Sequence, residues 1–360
     1  MKIQTMKKIL LLIDSLVSGG AQRQIVILAG LLNDRGYQVR IVYYHKLEFY
    51  KPYLDEHKID SHYIGDAGGV RRIVKIRQEI QRFKPNVVIS YLDTPAIIAC
   101  LLKMVGMKYR LIVSERNTTQ KITLKERLKF FLMRFTDYVV PNSYSQANFI
   151  AENFPSFCSK TTVITNCVDT ETFVPATHSH SSVCRMIVVG RVAEQKNTLR
   201  FLAALKRLKG TGACFNVEWF GYVSEEYFKR CEAFVETNGL VDCFHFNSPV
   251  KEIAQHYQNS DVFVLPSIYE GFPNVVCEAM SCGLPVLCSN VCDNPSIVDD
   301  GKNGYLFNPF DDDDIFKCLE KFLKLSPDKW AEMGENSRRI ALEKCAPDQM
   351  ADKYISIIEE

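Results

Sequence analysis

Short apolar runs alternate with amphipathic stretches along this chain, and after a polar break the alternation begins again. In the first half, residues 8–13, 39–44, 87–90, 111–114, 138–141 and 163–165 read as strands. Residues 21–34 and 70–83 lie between them with helical spacing. Near-continuous Val, Ile and Leu runs separated by helices indicate a parallel sheet covered on both faces. The polar stretch 175–182 interrupts the pattern. Strands are then expected at 186–189, 216–220, 262–265 and 285–288, and helices at 197–208, 225–237, 250–258 and 275–281. The expected architecture is α/β, with successive β/α domains over 1–174 and 183–345, and a length of 360 residues suits two domains. In 346–360, Pro347 precedes Met350, Tyr354, Ile357 and Ile358 at helical spacing. Open α/β sheets bind ligands beyond the carboxyl ends of their strands, so the loops there should hold the chemistry.

Composition narrows the class. With 24% charged and 47% hydrophobic residues, the chain is typical of a soluble globular protein. No apolar run approaches the roughly 18 residues of a membrane span. The run Ile9–Ile13 follows two lysines, as in a signal peptide, but Asp14 closes it and no small-residue cleavage site follows. It reads as a first strand of a protein that is not exported. The 13 cysteines, among them Cys100, Cys184, Cys214, Cys277 and Cys288, read as buried thiols in a reducing cytosol. Cys277, Cys282, Cys288 and Cys292 lack the paired C-x2-C spacing of a zinc site. His178 and His180 fit a solvated linker better than a metal pair, since no third ligand is in view. Asp311–Asp314 fits the N-terminus of a helix over 315–325 better than a metal site.

Charge is uneven. Residues 1–170 carry 25 Lys+Arg against 14 Asp+Glu, and residues 171–360 carry 19 against 28. The basic half suggests an anionic partner, either nucleic acid or a membrane face. No nucleic-acid motif accompanies it. The segment 121–135 favours the membrane. Leu124, Leu128, Phe131, Leu132 and Phe135 follow helical spacing, with Lys121, Lys125, Arg127, Lys129 and Arg134 around them. The bland alternative is a helix whose apolar stripe packs on its own sheet.

The chain has no G-x-G-x-x-G, P-loop, G-x-S-x-G or H-E-x-x-H signature. Three strand-to-helix loops stand out instead. Gly19-Gly20 opens the first helix, where backbone can approach an anion; a simple tight turn explains it equally well. Gly190-Arg191 and Lys196 share one loop, and their two cations could clamp a diphosphate or be plain surface charges. The run from Pro266 to Met280 places Glu270 and Gly271 in a loop and Glu278 about one turn into the next helix. A carboxylate among Val275, Val276, Cys277, Ala279 and Met280 needs a partner, which sugar hydroxyls or a basic neighbour would supply.

These motifs, with Asn166-Cys167-Val168-Asp169, Gly283-Leu284-Pro285-Val286 and Asn303-Gly304-Tyr305-Leu306-Phe307, resemble in order the retaining glycosyltransferases of family 4. The resemblance covers nearly the whole chain and is nearest to bacterial polysaccharide and lipopolysaccharide members. The pair Glu270 and Glu278 is its most specific part. It implies a GT-B fold: two Rossmann-like domains with an active site between them and a final helix over 346–360 crossing back to the first domain. It implies a hexosyltransferase-type enzyme that takes a UDP- or GDP-sugar and needs no metal or other cofactor. Glu270, Arg191 and Lys196 are the implied catalytic residues. Glu278, Gly271, Phe272, Asn274, Val275 and Gly190 would bind donor, with Glu278 on the ribose. Gly19, Gly20, Glu115, Arg116 and Asn117 would line the phosphate and acceptor side. A glycan or lipid-linked acceptor, and peripheral binding to the anionic inner face of the cell membrane from the cytoplasm, complete the expectation, with no nucleic-acid partner. Ser114-Glu115-Arg116-Asn117 stands where many members carry a histidine, Phe246-Asn247-Ser248-Pro249 lacks the usual glycine before the base, and Pro273 offers no N–H. A GT-B sugar-nucleotide epimerase and a non-catalytic sugar- or nucleic-acid-binding protein are the alternatives.

Overall fold

The computed structural model describes residues 6–66, 68–116, 119, 121–176 and 182–360. The chain packs as two units: residues up to Asn166 together with Pro347–Glu360, and Cys167–Ala346. His178 and His180 lie outside the described residues.

The first unit is built on β1 (Lys8–Leu12), β2 (Gln38–Tyr43), β3 (Asp60–Tyr63), β4 (Val87–Tyr91), β5 (Arg110–Glu115) and β6 (Tyr138–Pro141). They form one parallel sheet in the order β3-β2-β1-β4-β5-β6. Its helices are α1 (Gly20–Asp34), α2 (Lys51–Glu56), α3 (Gly69–Phe83), α4 (Asp93–Met104), α5 (Leu124–Met133) and α6 (Tyr144–Asn153). Alternate residues of the strands feed two cores, because successive side chains point to opposite faces. Leu10, Leu12, Val88 and Val113 meet Ile76 and Ile80 of α3, Ala99 of α4 and Phe130 and Met133 of α5 on one face.

The second unit contains β7 (Cys184–Val189), β8 (Phe215–Phe220), β9 (Phe244–Asn247), β10 (Val262–Leu265), β11 (Val286–Ser289) and β12 (Gly304–Phe307). The order is β12-β11-β10-β7-β8-β9, the same doubly wound arrangement as the first sheet. Helices α7 (Thr198–Gly210), α8 (Glu225–Thr237), α9 (Ile253–Gln258), α10 (Asn274–Ser281), α11 (Asn294–Ile297), α12 (Asp312–Leu323) and α13 (Pro327–Cys345) surround it. β10 and β11 are buried along their whole length, as strands covered on both faces must be.

The last helix, α14 (Pro347–Glu359), belongs to the first unit and packs on α1. Met350, Tyr354, Ile357 and Ile358 form its buried stripe. Arg35 pairs with Asp348 and Asp352, each at 2.7 Å, and Lys7 pairs with Glu359 at 2.8 Å. Arg110 donates to the carbonyl of Ile357, satisfying a helix end that has no intrahelical donor.

Several expectations need correction. Residues 163–165 are not a strand; the backbone only runs beside β6, with Thr162 N–H donating to Val139 and Ile164 N–H to Pro141. Strands β3, β9 and β12 were absent from the sequence reading. The helix expected at 250–258 starts at Ile253, because Ser248-Pro249-Val250 forms a loop after β9. Cys214 is exposed rather than buried, at the turn that precedes β8. Asp311 does cap a helix, accepting from the N–H groups of Asp313 and Asp314.

Candidate active site

In a doubly wound sheet the crevice opens where consecutive connections leave for opposite faces, here between β7 and β10. The loops after these two strands carry the motifs. Lys196 Nζ lies 2.5 Å from Glu270 Oε1, both nearly enclosed, so one ion pair closes the crevice from its two sides. Gln195 joins the same loops: its carbonyl accepts from Ile268 N–H at 2.8 Å and its side chain donates to the Tyr269 carbonyl at 2.9 Å. Sequence reasoning assigned Gln195 no role, since an amide in a polar loop carries no periodic signal.

Gly190 and Gly221 end β7 and β8 at a close backbone crossing. A Cβ on Gly221 would stand 2.0 Å from the Gly190 carbonyl oxygen, so only glycine fits. A Cβ on Gly190 would press on Lys196 Cε at 3.0 Å, so this glycine also makes room for the lysine. Buried Trp219 donates its indole N–H to the Gly190 carbonyl at 2.8 Å, which fixes the strand end. Arg191 follows on the surface, and its side chain has no protein partner among the described residues.

Beyond β10, Gly271 and Phe272 lead into α10, which opens at Asn274 and Val275 without a capping side chain. The Asn274 and Val276 N–H groups donate to the Phe272 and Pro273 carbonyls, so within the first turn the Val275 N–H and the helix dipole are what favour an anion there. Glu278, one turn in, is buried, and Tyr257 of α9 donates to its carboxylate at 3.3 Å. A tyrosine hydroxyl is thus one partner of this acid. Cys292, after β11, accepts from the Glu270 N–H at 3.4 Å. Burial pushes the Cys282 thiol up to about 12 and the Cys277 thiol well above its usual range, so neither supplies a thiolate nucleophile at neutral pH.

The first-unit candidates sit at the carboxyl end of the other sheet. Gly19 caps α1 and Gly20 begins it. A Cβ on Gly19 would meet Gln22 Oε1 at 2.4 Å, and Gln22 donates to Asp14 at 3.1 Å. Glu115 ends β5 in full burial and meets Lys129 of α5 at 2.9 Å; Lys129 reaches Asp93 of α4 at 3.3 Å. Desolvation opposes the Lys129 ammonium, but Glu115 and Asp93 outweigh it and hold its pKa above the ordinary lysine value. Lys129 therefore leaves the set of surface charges expected on this helix. Arg116 spreads its guanidinium over Ser114, Tyr91, Tyr354 and Asn166. Asn117 lies outside the described residues.

Two six-stranded, doubly wound parallel sheets with flanking helices define the GT-B class. Residues 18–172 match the family described as Glycosyltransferase Family 4, and residues 176–340 match Glycosyl transferases group 1. The chain belongs to these family 4, group 1 glycosyltransferases and is an enzyme of hexosyltransferase type. It is 27% identical over 335 residues to a Campylobacter jejuni N-acetyl-D-galactosaminyltransferase named for a diNAcBac-PP-undecaprenol-linked disaccharide, covering 88% of this chain and 89% of the relative. It is 25% identical over 312 residues to the amylovoran biosynthesis glycosyltransferase AmsD of Erwinia amylovora, covering 82% and 85%. A Rickettsia africae glycosyltransferase has the same fold, with a TM-score of 0.87 at 18% identity over 99% of this chain and 98% of that one. Anabaena HepE, solved with UDP and glucose, aligns with a TM-score of 0.83 at 18% identity over 98% and 99%.

Proposed function

We propose that this enzyme transfers a sugar, with retention of anomeric configuration, from a nucleoside diphosphate donor to a glycan or lipid-linked acceptor in cell-surface polysaccharide or lipopolysaccharide assembly. The observation that carries the reading is the Lys196–Glu270 pair across the switch-point loops, with Arg191 beside it. The sugar C1–O bond to the diphosphate breaks and a C1–O bond to the acceptor forms on the same face. The acceptor proton passes to an oxygen of the departing phosphate. Arg191 and Lys196 meet the charge that grows on that phosphate, a role here assigned to side-chain cations with no metal invoked. Gly190 leaves space for the diphosphate, and the backbone at Gly271, Phe272, Asn274 and Val275 faces the donor at the start of α10. Glu270 faces the donor sugar, and Glu278 accepts from the ribose hydroxyls. Gly19, Gly20, Glu115 and Arg116 belong to the phosphate and acceptor side of the first unit. The Campylobacter and Erwinia relatives, by the activities they are named for, support an acceptor in glycan assembly.

The same reading includes peripheral attachment to the inner membrane face through α5. No helix among the described residues is long and apolar enough to cross a membrane. On α5, Phe130 and Met133 turn to the core, whereas Leu124, Leu128 and Phe131 are 87%, 60% and 54% exposed. Lys125, Arg127 and Arg134 are exposed around them.

The test is incubation with UDP- and GDP-sugars, with and without undecaprenyl-diphosphate-linked oligosaccharide. A glycosylated acceptor, free nucleoside diphosphate and a retained anomer by NMR are expected. A new sugar nucleotide formed without acceptor would indicate an epimerase instead, and binding without nucleotide release a non-catalytic protein.

A further inference from the structure

Residues 167–174 begin the second unit as irregular chain, and the helices around them supply the donors that such backbone needs. Arg338 of α13 donates to the carbonyls of Thr170 at 3.1 Å and Phe173 at 2.8 Å. It also donates to the carbonyl and the hydroxyl of Ser281, each at 2.7 Å. The Ser281 hydroxyl, at the end of α10, donates to the same Phe173 carbonyl at 2.7 Å. Gln258 of α9 donates to the Val174 carbonyl at 2.9 Å. A guanidinium presents its N–H groups in a fixed fork, so this cluster sets where Phe173 lies. The Phe173 ring is buried and meets the Tyr257 ring edge-on, with centroids 6.0 Å apart and planes at 63°. Phe263 of β10 meets Tyr257 in the same way, at 5.9 Å and 61°. A buried phenol has one polar handle, and the seat of its ring decides what the hydroxyl reaches. Here it reaches Glu278 at 3.3 Å and the Val275 carbonyl at 3.4 Å.

We propose that Phe173, anchored by Arg338 and Ser281, is a positioning residue for nucleotide binding: it seats Tyr257 so that the phenol hydroxyl orients the Glu278 carboxylate. The inference rests on the reading of Glu278 as the acceptor for ribose hydroxyls. A carboxylate oriented before the nucleotide arrives is spared the cost of ordering when it binds. Phe173 is too buried to touch a ligand itself, so its influence passes through the tyrosine. Leucine at 173 keeps an apolar side chain but leaves space beside the phenol ring, and the hydroxyl then loses its aim. Arg338 acts one step further back, through the backbone that carries Phe173.

Calorimetric titration of the full chain with UDP and with its 2′,3′-dideoxy analogue tests this, with the guanosine pair used where UDP does not bind. The analogue lacks the hydroxyls that Glu278 accepts from, so the ratio of the two affinities reads the ribose contact alone. The wild type should prefer UDP by about tenfold or more, the scale of a hydrogen bond to a charged group, and Glu278→Ala should abolish the preference. Phe173→Leu should cut the preference by about three- to fivefold and leave the affinity for the analogue in place. Tyr257→Phe should do the same, and the two changes together should do no more than either alone. If Phe173→Leu does not fold, Arg338→Lys carries the comparison, because an ammonium lacks the fork that holds the Thr170, Phe173 and Ser281 carbonyls; it should cut the preference about twofold. A preference equal to that of the wild type, a loss shared equally by both nucleotides, or effects that add in the double variant overturns the positioning role. If Glu278→Ala still abolishes the preference in that case, the donor-site reading survives. If the wild type shows no preference, or no nucleotide binds, that reading fails and this inference fails with it.

Discussion

Lys196 Nζ lies 2.5 Å from Glu270 Oε1, and both side chains are largely shielded from water. The pair therefore does two jobs: it holds the loops after β7 and β10 together, and it places a cation at the crevice. Lys196→Ala should remove the cation and take an ion-pair partner from a largely buried carboxylate, costing about 1–3 kcal/mol of stability. Its kcat should fall by about 100-fold or more, the scale seen when one transition-state donor is removed. Glu270→Gln keeps shape and one acceptor, so its melting temperature should fall less than that of Lys196→Ala while kcat still drops. Paired calorimetry and steady-state kinetics check both, and unchanged kcat in either variant would count against the assignment.

Glu278 and Arg191 should separate kinetically. In the proposed donor complex Glu278 meets the ribose in ground and transition states alike, so Glu278→Ala should chiefly raise the donor KM. In the proposed mechanism Arg191 faces charge that grows during bond cleavage, so Arg191→Ala should lower kcat as well. Tyr257→Phe removes one hydroxyl donor to Glu278 and should raise the donor KM only a few-fold, about 1 kcal/mol in binding. Initial rates over a donor series distinguish the three, and equal small effects from Glu278 and Arg191 would argue against these roles.

Lys129 sits between Glu115 and Asp93 with 2% of its side chain exposed. Lys129→Met should destabilise the first unit by about 3–5 kcal/mol, because removing one partner strands buried charge. Adding Glu115→Leu should restore much of that loss, since an apolar replacement of a buried pair is often nearly neutral. The sign of the pH effect follows from the raised Lys129 pKa. The stabilisation is complete below the unfolded lysine value of about 10.4 and fades as pH climbs through the higher folded value. Urea melts from pH 8 to 11 should show this fade in the wild type and not in the double variant.

The fold could be read from sequence where strands were apolar and buried, as at β1, β4 and β10. β3 reads Asp-Ser-His-Tyr and β9 reads Phe-His-Phe-Asn; both are sheet edges, half-solvated, with no continuous apolar run to show them. β12 opens on Gly304 because a Cβ there would lie 1.8 Å from the Val286 carbonyl oxygen, a tertiary demand that periodicity does not encode. At the site, the motif spacing pointed to Lys196 and Glu270 separately, and only the order of β7 and β10 makes them partners. Tyr257 was invisible, because an aromatic in an amphipathic stretch looks like core until its hydroxyl finds Glu278. Lys129 misled the charge reading, since a lysine on a basic helix is ordinarily solvated and nothing nearby in sequence announces Glu115 beneath it.

The docking of α14 should weaken in acid. Lys7 first, then Tyr37, hold the Glu359 carboxyl below the usual glutamate range. A depressed folded pKa adds stability above the unfolded value of about 4.3 and loses it as pH falls through the folded value. Glu359 is 38% exposed, so solvent screening keeps its share small. Protection factors within 347–360, measured against the intrinsic exchange rate at each pH, should therefore fall between pH 5 and 3, and those of Glu359→Gln should already be lower at pH 7. Protection that is flat across this range would show that Tyr354, Ile357 and Ile358 hold the helix without help from charge.

Membrane attachment offers the last test, and burial of Lys129 changes how it must be made. The residues on the outer side of α5 are Leu124, Leu128 and Phe131, with Lys125, Arg127 and Arg134 exposed beside them and Lys121 just before the helix. Exposed apolar side chains framed by cations suit insertion at an anionic interface. The cations should draw the helix to the surface, at about 1 kcal/mol per basic residue near anionic lipid. Binding to phosphatidylglycerol vesicles should weaken with salt, because the Debye length shrinks from about 10 Å at 0.1 M to 3 Å at 1 M. Lys121→Glu with Lys125→Glu and Arg127→Glu should remove the salt-sensitive part. Leu128→Ser with Phe131→Ser should remove the part that persists at high salt. Lys125 lies 3.8 Å from Asp93, a partner of Lys129, so the melting temperature should fall slightly in the charge set and hold in the Leu128 and Phe131 set. Co-sedimentation that is equal on neutral and anionic vesicles, or unmoved by both sets of substitutions, would exclude α5 as the attachment surface.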